Sequence, residues 1–223
     1  MGKTRLVNLS LHYFLVHNLS YDVENDTTTT YDYVSYKLNY KNIVTTKPVT
    51  VYRNSQLVPN TEYKIFPVRG EIFFNDTQNT DDIITADFSH CFVNILQPFS
   101  EDEISPPLVA IENDNDSDRA IELGSNLSAV MYKFRIHVYG VNEGQRDDIA
   151  DYIKETLKSD VYVWDFNLGF PVLRDGSINN EFDINNVIND IYFSSVRVQR
   201  NPLQSNDIIE KGRALITISG EII

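Results

Sequence analysis

The stretch that decides the fold is "KFRIHVYGVNEGQRDDIADYIKETLKSDVYVWDFN", residues 133–167. Apolar and polar side chains alternate up to Gly140, which predicts a half-buried β-strand. The apolar positions then recur in steps of four, which predicts a helix over about 145–158 with one buried stripe. The run "VYVWDFN" predicts a further strand after the helix. This part of the chain therefore reads as strand, helix and strand.

Carboxylates gather where this helix is predicted to begin, at Glu143, Asp147 and Asp148. The helix dipole stabilises negative charge in the first turn, so helix formation alone accounts for them. No histidine or cysteine stands near them to complete a metal site. A single Gly144 without further spaced glycines does not make a phosphate-binding loop. We predict no metal and no cofactor here, and a helix start rather than an active site.

The composition restricts the class of protein. The chain has 223 residues, 42% of them hydrophobic, and a formal net charge of −13. An acidic surface repels the phosphate backbone, so sequence-specific nucleic-acid binding is not expected. Cys91 is the only cysteine, which excludes an internal disulfide and predicts a buried structural thiol. Polar residues interrupt the N-terminal apolar run, so we predict no signal peptide, no membrane association and synthesis in a cytoplasm.

The whole chain is predicted to be an α+β protein with one main domain, residues 1–223. Its antiparallel or mixed sheet would be crossed by the helix at about 145–158. Within it we expect an N-terminal helix at about 4–20, a β-rich lobe at about 46–100, a loop-rich linker at about 98–128, and an α/β core at about 129–223. The N-terminal helix would bury the stripe Leu6, Leu9, Tyr13, Val16 and Leu19. Turns are predicted at Asn54-Ser55 and at Arg69-Gly70, and the last two strands should pair antiparallel.

Two acidic stretches space their carboxylates as a calcium loop does, at residues 22–26 and 113–122. In the second, Asp114, Asp116 and Asp118 match the first ligands of an EF-hand. The sixth and twelfth positions are then Arg119 and Ser125 where glycine and an acid are needed, so the match ends after three residues. Solvated loops explain both stretches, and calcium binding stays open as the alternative.

The sequence contains no recognisable catalytic motif. The four histidines, His12, His17, His90 and His137, form no HExxH pattern, and no GxSxG turn occurs. Trp164 alternates with Tyr162 and Phe166, which is more typical of a strand that faces the core than of an aromatic platform that binds a ligand. We therefore do not predict an enzyme.

Two segments together resemble structural proteins of tailed bacteriophages. "VTVYRNSQLVPNTEYKIFPVRGEIFFND" followed by "DDIITADFS" is similar to a β module with a short turn, a Y-x-I strand and a G-x-I-x-F strand. "KFRIHVYGVNEGQRDDIADYIKETLKSDVYVWDFNLGFP" resembles the strand–helix–strand element of tail-terminator and neck proteins. Two long strands at the end of the chain also fit that group. The resemblance covers about two-thirds of the chain and departs from the smaller terminators in length.

The resemblance implies a non-enzymatic subunit of a ring, usually a hexamer, that caps the tail tube and docks it to the head connector. Its partners would be other copies of the chain, the connector and the tail-tube proteins, with phage DNA passing through without specific contacts. Such a protein belongs in the virion and assembles in the host cytoplasm. Glu143, Asp147 and Asp148 would then be candidates to face the ring lumen or a partner.

Three alternatives remain at this point. The chain fits another virion component, such as a head-completion, tail-tube or baseplate protein. It also fits a β-rich carbohydrate-binding module that would use Tyr31, Tyr33, Tyr36 and Tyr40. An enzyme with a site assembled from distant residues has the least support, because the expected motifs are missing from the sequence.

Overall fold

The computed structural model describes residues 3–30, 32–96, 105–114, 117–120, 128–200 and 213–222. It confirms the α+β class, with two helices and three β-sheets. The elements are, in chain order, α1 (Lys3–Asn18), β1 (Ser20–Thr27), β2 (Thr29–Thr30), β3 (Ser35–Lys37), β4 (Thr50–Arg53), β5 (Gln56–Leu57), β6 (Tyr63–Phe66), β7 (Glu71–Phe74), β8 (Ile84–Cys91), β9 (Asn94–Leu96), β10 (Leu108–Asn113), β11 (Ser117–Ala120), β12 (Ser128–Tyr139), α2 (Glu143–Thr156), β13 (Val161–Trp164), β14 (Val187–Arg200) and β15 (Arg213–Ile222).

Contacts divide the chain into two compact units. Unit 1 comprises residues 1–18, 93–165 and 185–223, and unit 2 comprises residues 19–92 and 166–184. Unit 1 holds both helices and a seven-stranded sheet. Unit 2 is built from the two four-stranded sheets.

The sheet of unit 1 has the strand order β13-β14-β15-β12-β10-β9, with β11 paired to β12. Every pairing is antiparallel except that of β9 with β10, so the sheet is mixed. A mixed sheet is one of the two forms that the sequence predicts. The two long strands β14 and β15 pair antiparallel, as predicted. The alternation predicted for β12 is also observed, since Phe134, Ile136 and Val138 are fully buried.

Helix α2 begins two residues before its predicted start, which is within the usual uncertainty of helix ends. Asn142 is the N-cap, and its Oδ1 accepts a hydrogen bond from the Gln145 amide at 2.9 Å. Gln145 reaches back, and its Oε1 accepts from the Val141 amide at 2.8 Å. The predicted stripe is confirmed, because Ile149, Ile153 and Leu157 are buried.

Helix α1 buries a different stripe from the predicted one. Val7, Leu11 and Leu15 are fully buried, together with Ser10, whereas Leu9, Tyr13 and Val16 are only partly buried. Leu6 and Leu19 are buried as predicted, but the other three positions were wrong because apolar residues occur all around this helix, so periodicity could not choose a face. Among the described residues, neither helix has the length and apolar character that a membrane crossing requires.

Unit 2 contains one sheet in the order β1-β8-β4-β5 and another in the order β2-β3-β7-β6. Its core includes Tyr36, Val51, Ile72, Ala86 and Phe88. Both predicted turns are confirmed. Asn54 and Ser55 have φ angles of 53° and 64° between β4 and β5, and Gly70 has a φ of 67° between β6 and β7.

The stretch 98–128 contains two strands, β10 and β11, where the sequence predicts a loop-rich linker. The apolar run "LVAI" explains β10, because all four side chains are buried between its neighbouring strands β9 and β12. The prolines and charges on either side of that run concealed it in the sequence. Most other residues of the stretch lie outside the described residues.

Candidate assembly surface

The seven-stranded sheet has a face that we call the outer face, which lies opposite helix α2. Arg200 of β14 pairs with Asp147 and Asp151 of α2, so its side of the sheet is the helix side. The partner of Arg200 across the strands is the buried Ala214. Side chains alternate between the two faces of each strand, so the residues next to Arg200 and Ala214 in sequence point to the outer face. That face carries Tyr162, Asp190, Tyr192, Glu221, Ser195, Ser219, Arg197, Thr217, Lys133, Arg135 and Glu112.

Exposed apolar side chains are concentrated at one edge of the outer face. Tyr162 of β13 is 52% exposed, and Tyr192 and Ile188 of β14 are 47% and 44% exposed. Ile188 is the extra residue of a β-bulge, since Val163 pairs with Asn189 and Trp164 with Val187. We call Tyr162, Val187, Ile188 and Tyr192 the edge patch. Large exposed apolar side chains in neighbouring positions indicate a contact surface.

A polar group without a partner lies within the edge patch. Asp190 stands directly across from Tyr162 and two residues before Tyr192. Its Oδ1 is buried and accepts no hydrogen bond from the described part of the chain. A buried carboxylate oxygen normally has a donor, because leaving it unpaired is unfavourable. A donor from another molecule would reach this oxygen only if the Asp190 side chain rotates towards the surface.

Charged side chains cross the other end of the outer face, on β10, β12 and β15. Arg135 contacts Asp114 at 2.7 Å and Glu112 at 3.9 Å. His137 Nε2 lies 3.1 Å from a Glu112 oxygen, and Arg213 Nη1 lies 3.3 Å from His137 Nδ1. These contacts join three strands, so they fix the register of the sheet as well as the surface charge.

His137 is buried within this row of charges, and burial lowers its pKa. The Glu112 carboxylate opposes that shift, while Arg213 adds to it. A neutral imidazole that donates from Nε2 to Glu112 and accepts at Nδ1 from Arg213 matches the geometry. The arrangement suits a structural histidine at neutral pH.

The predicted lumen or partner residues lie at the start of α2. Glu143 and Asp148 are exposed, while Asp147 is partly buried. The buried Arg146 donates from Nε to Asp147 at 2.8 Å and lowers the pKa of that carboxyl, with Arg200 adding to the effect. Asp147 therefore has internal partners, whereas Glu143 and Asp148 keep exposed carboxylates. Their contact with a lumen or partner stays a prediction.

The two acidic stretches differ from the calcium loops considered above. Residues 22–26 are part of strand β1, so the expected solvated loop was wrong there. Asp26 is buried and accepts from the backbone and side-chain nitrogens of Asn39 at 2.9 and 2.7 Å. In residues 113–122, Asp114 is paired with Arg135 and part of the segment forms β11. Asp116 lies outside the described residues, and no group of three metal-ligating side chains occurs within them.

The tyrosines proposed for carbohydrate binding do not form one platform. Tyr36 is buried in the core of unit 2, Tyr33 is exposed, and Tyr31 lies outside the described residues. Tyr40 instead joins Tyr21 and His90, with ring centroids 6.3 and 5.1 Å away. Cys91 is a buried thiol outside any disulfide, and Trp164 is also buried, so neither side chain lies on an exposed platform.

Sequence reasoning missed the edge patch, although the alternating "VYVW" and "DIYF" runs contain its tyrosines. Alternation shows that Tyr162 and Tyr192 face away from the core, but only the pairing of β13 with β14 brings them together. Comparison of the chain with protein-family models, with curated proteins and with solved structures gives no match. The surface is therefore interpreted from its own geometry.

Proposed function

We propose that this protein is a structural subunit of a tailed-phage virion that assembles into a ring at the neck, as a tail terminator. Its function is to cap the tail tube and to join it to the head connector. It works by matching surfaces between subunits rather than by chemistry. The segments that resemble tail-terminator and neck proteins motivate this proposal.

The observation that supports self-assembly best is the edge patch with its unpartnered Asp190 oxygen. A neighbouring subunit that covers Tyr162 and Tyr192 would bury apolar area. If the Asp190 side chain rotates on contact, the same neighbour also supplies a donor to it, which makes the contact directional as well as apolar. The proposal assigns the edge patch to the contact between adjacent subunits of the ring.

The acidic balance of the chain is compatible with a channel through which DNA passes without being held. Under this proposal the exposed Glu143 and Asp148 are the candidates to line that channel or to meet the next layer of the neck. Neutralising both should leave ring formation intact, because neither belongs to the edge patch.

The test is negative-stain imaging of the purified chain, combined with mass photometry over a concentration series. Closed rings of about six copies with a central hole are expected for a terminator. Rings of about twelve would instead assign the chain to a head-side connector. A strict monomer at every concentration would contradict self-assembly by this surface.

Two single variants sharpen the test. Tyr192→Asp places a second carboxylate beside Asp190 and should abolish rings by repulsion and loss of apolar contact. Tyr21→Asp is the matched control, because Tyr21 is also an exposed strand tyrosine but lies in unit 2. Rings that persist in Tyr192→Asp would show that another surface joins the subunits.

A further inference from the structure

Unit 2 contains a groove formed by two adjoining clefts of about 380 and 360 Å³. The two clefts share four lining residues, Asn60, Ile178, Asn179 and Asn180. Tyr63 lines the first cleft and Phe182 the second. The groove therefore combines side-chain amides with apolar walls, which is a usual composition for a small-ligand site.

The amides of the groove fall into two groups. Asn179 is fixed, because its Nδ2 donates to the Phe170 carbonyl at 2.9 Å and its Oδ1 accepts from the Glu181 amide at 3.1 Å. Asn60 and Asn180 are exposed, and their side chains make no hydrogen bond with the described part of the chain. Each thus presents one donor group and one acceptor in a plane to a ligand in the groove.

Both cations that line the groove are already neutralised. Lys64 lies 2.8 Å from Asp175, and Lys47 donates to Ser20 at 2.9 Å with Asp22 at 3.8 Å. Glu181 adds an exposed carboxylate that accepts hydrogen bonds but repels anions. The groove consequently favours a neutral ligand with many hydroxyl groups over a phosphate or an acidic ligand.

An extended peptide is a poorer fit to the same place. Strand β6 is the edge of its sheet, and a peptide could add there only by pairing with the free backbone groups of that edge. The Ile178 amide already donates to the Ile65 carbonyl at 2.8 Å, so the segment beside the groove occupies that edge. Recognition must then come from side chains.

We infer that this groove of unit 2 binds a neutral oligosaccharide. Asn60 and Asn180 hydrogen-bond adjacent hydroxyls, and the apolar faces of Ile178 and Phe182 pack against the carbon side of the sugar rings. This site is independent of ring assembly by unit 1 and does not rest on it. It would give the protein an attachment function in addition to a structural one.

The experiment uses the full chain, fluorescently labelled, on a printed array of neutral and acidic glycans. The neutral glycan with the strongest signal is then titrated by calorimetry against three proteins: the unchanged chain, the double variant Asn60→Ala/Asn180→Ala, and the control Asn189→Ala. Asn189 is an exposed asparagine on β14 of unit 1 and is not one of the residues that line the groove. Circular dichroism of each variant confirms that it is folded.

Binding of a neutral glycan that weakens about tenfold or more in the double variant, and not in the control, supports the proposal. Binding restricted to acidic glycans would overturn it, because the groove has no unpaired cation in the described residues. Binding that is unchanged in the double variant would also overturn it, and so would an array without any neutral ligand. None of these outcomes bears on whether the chain forms rings.

Discussion

Unit 1 and unit 2 are built by different means. Unit 1 relies on long strands, with 14 residues in β14, 12 in β12 and 10 in β15. Unit 2 uses strands of two to eight residues. All the described residues with a positive φ angle lie in unit 2: Asn25, Tyr33, Asn42, Asn54, Ser55, Gly70, Gly169 and Gly176.

The difference explains what each unit can present to other molecules. Long paired strands hold side chains in fixed rows, and such rows make a broad surface like the edge patch. Turns and short strands instead enclose small grooves between loops, as around Asn60 and Asn180. Accordingly, we propose the contact with another subunit for unit 1 and the small-ligand site for unit 2.

The largest predicted effect is a loss of stability confined to one unit at a time. It is expected from two glycine substitutions, one in each unit. Gly70→Ala should destabilise unit 2 by about 3 kcal/mol, because L residues disfavour a positive φ and the new Cβ would lie against the backbone. That Cβ would be 1.9 Å from the Tyr40 carbonyl oxygen. Gly220→Ala should destabilise unit 1 by about 2 kcal/mol, because its Cβ would be 2.5 Å from the Tyr192 carbonyl oxygen.

The chain offers a probe that reports on one unit alone. Its single tryptophan, Trp164, is buried in unit 1, whereas circular dichroism reports on both units. In urea, Gly70→Ala should shift the transition seen by circular dichroism and leave the tryptophan transition in place. Gly220→Ala should shift the tryptophan transition. Coincident shifts of both probes in both variants would show that the two units unfold as one cooperative body.

The second effect is a pH dependence confined to unit 1. Burial lowers the pKa of His12 in α1 to about 4, from an ordinary value of 6.5. The unfolded chain therefore binds a proton at a pH where the folded chain does not. Stability is complete above pH 6.5 and is lost as the pH falls towards 4, by up to about 3 kcal/mol.

His12→Phe removes this titration, and urea unfolding followed by Trp164 fluorescence at several pH values measures it. Carboxylates also titrate in the lower part of the range, so the quantity to compare is the difference between the two proteins at each pH. That difference should change between pH 6.5 and 4. A difference that stays constant with pH would show that the imidazole is not desolvated in the folded chain.

The third effect concerns the contact between helix α1 and the edge strand β13 of the large sheet. The buried Ser10 hydroxyl of α1 accepts a hydrogen bond from the Trp164 amide of the edge strand β13 at 3.0 Å. Ser10→Ala removes that acceptor from a buried backbone amide and should destabilise unit 1 by about 2 kcal/mol. Ser194→Ala is the control, because its hydroxyl is exposed and its bond to the Ser219 carbonyl is 3.3 Å long. Equal unfolding midpoints for the two variants would exclude this role for Ser10.

The sequence predicted those features that depend on near neighbours. Local sequence patterns predict the helix α2 with its buried stripe, the alternation in β12 and the turn at Asn54-Ser55. Features that depend on pairing between distant segments were not visible. The strand β10 lies among prolines and charges, and the contact of Ser10 with Trp164 joins residues 154 positions apart.

The same distinction between local and long-range features applies to the candidate sites. The sequence identified Glu143 and Asp148 as surface charges but could not show that Asp147 is held by Arg146 and Arg200. The edge patch and the groove of unit 2 could not be predicted from the sequence, because each is assembled from separate segments. No short motif encodes such a surface, and its residue types are common in ordinary strands and loops.

The smallest predicted effect tests whether turns set the stability of unit 2. Ser55 has a φ of 64° in the turn between β4 and β5, a conformation in which glycine has no steric penalty. Ser55→Gly should therefore stabilise unit 2 by about 0.5 kcal/mol, the relief of backbone strain exceeding the added entropy of the unfolded chain. Circular dichroism should show a higher urea midpoint, while the Trp164 transition stays unchanged. A lower midpoint would mean that the strands, and not this turn, determine how the hairpin forms, and unit 2 would then resemble unit 1 more closely than its short strands suggest.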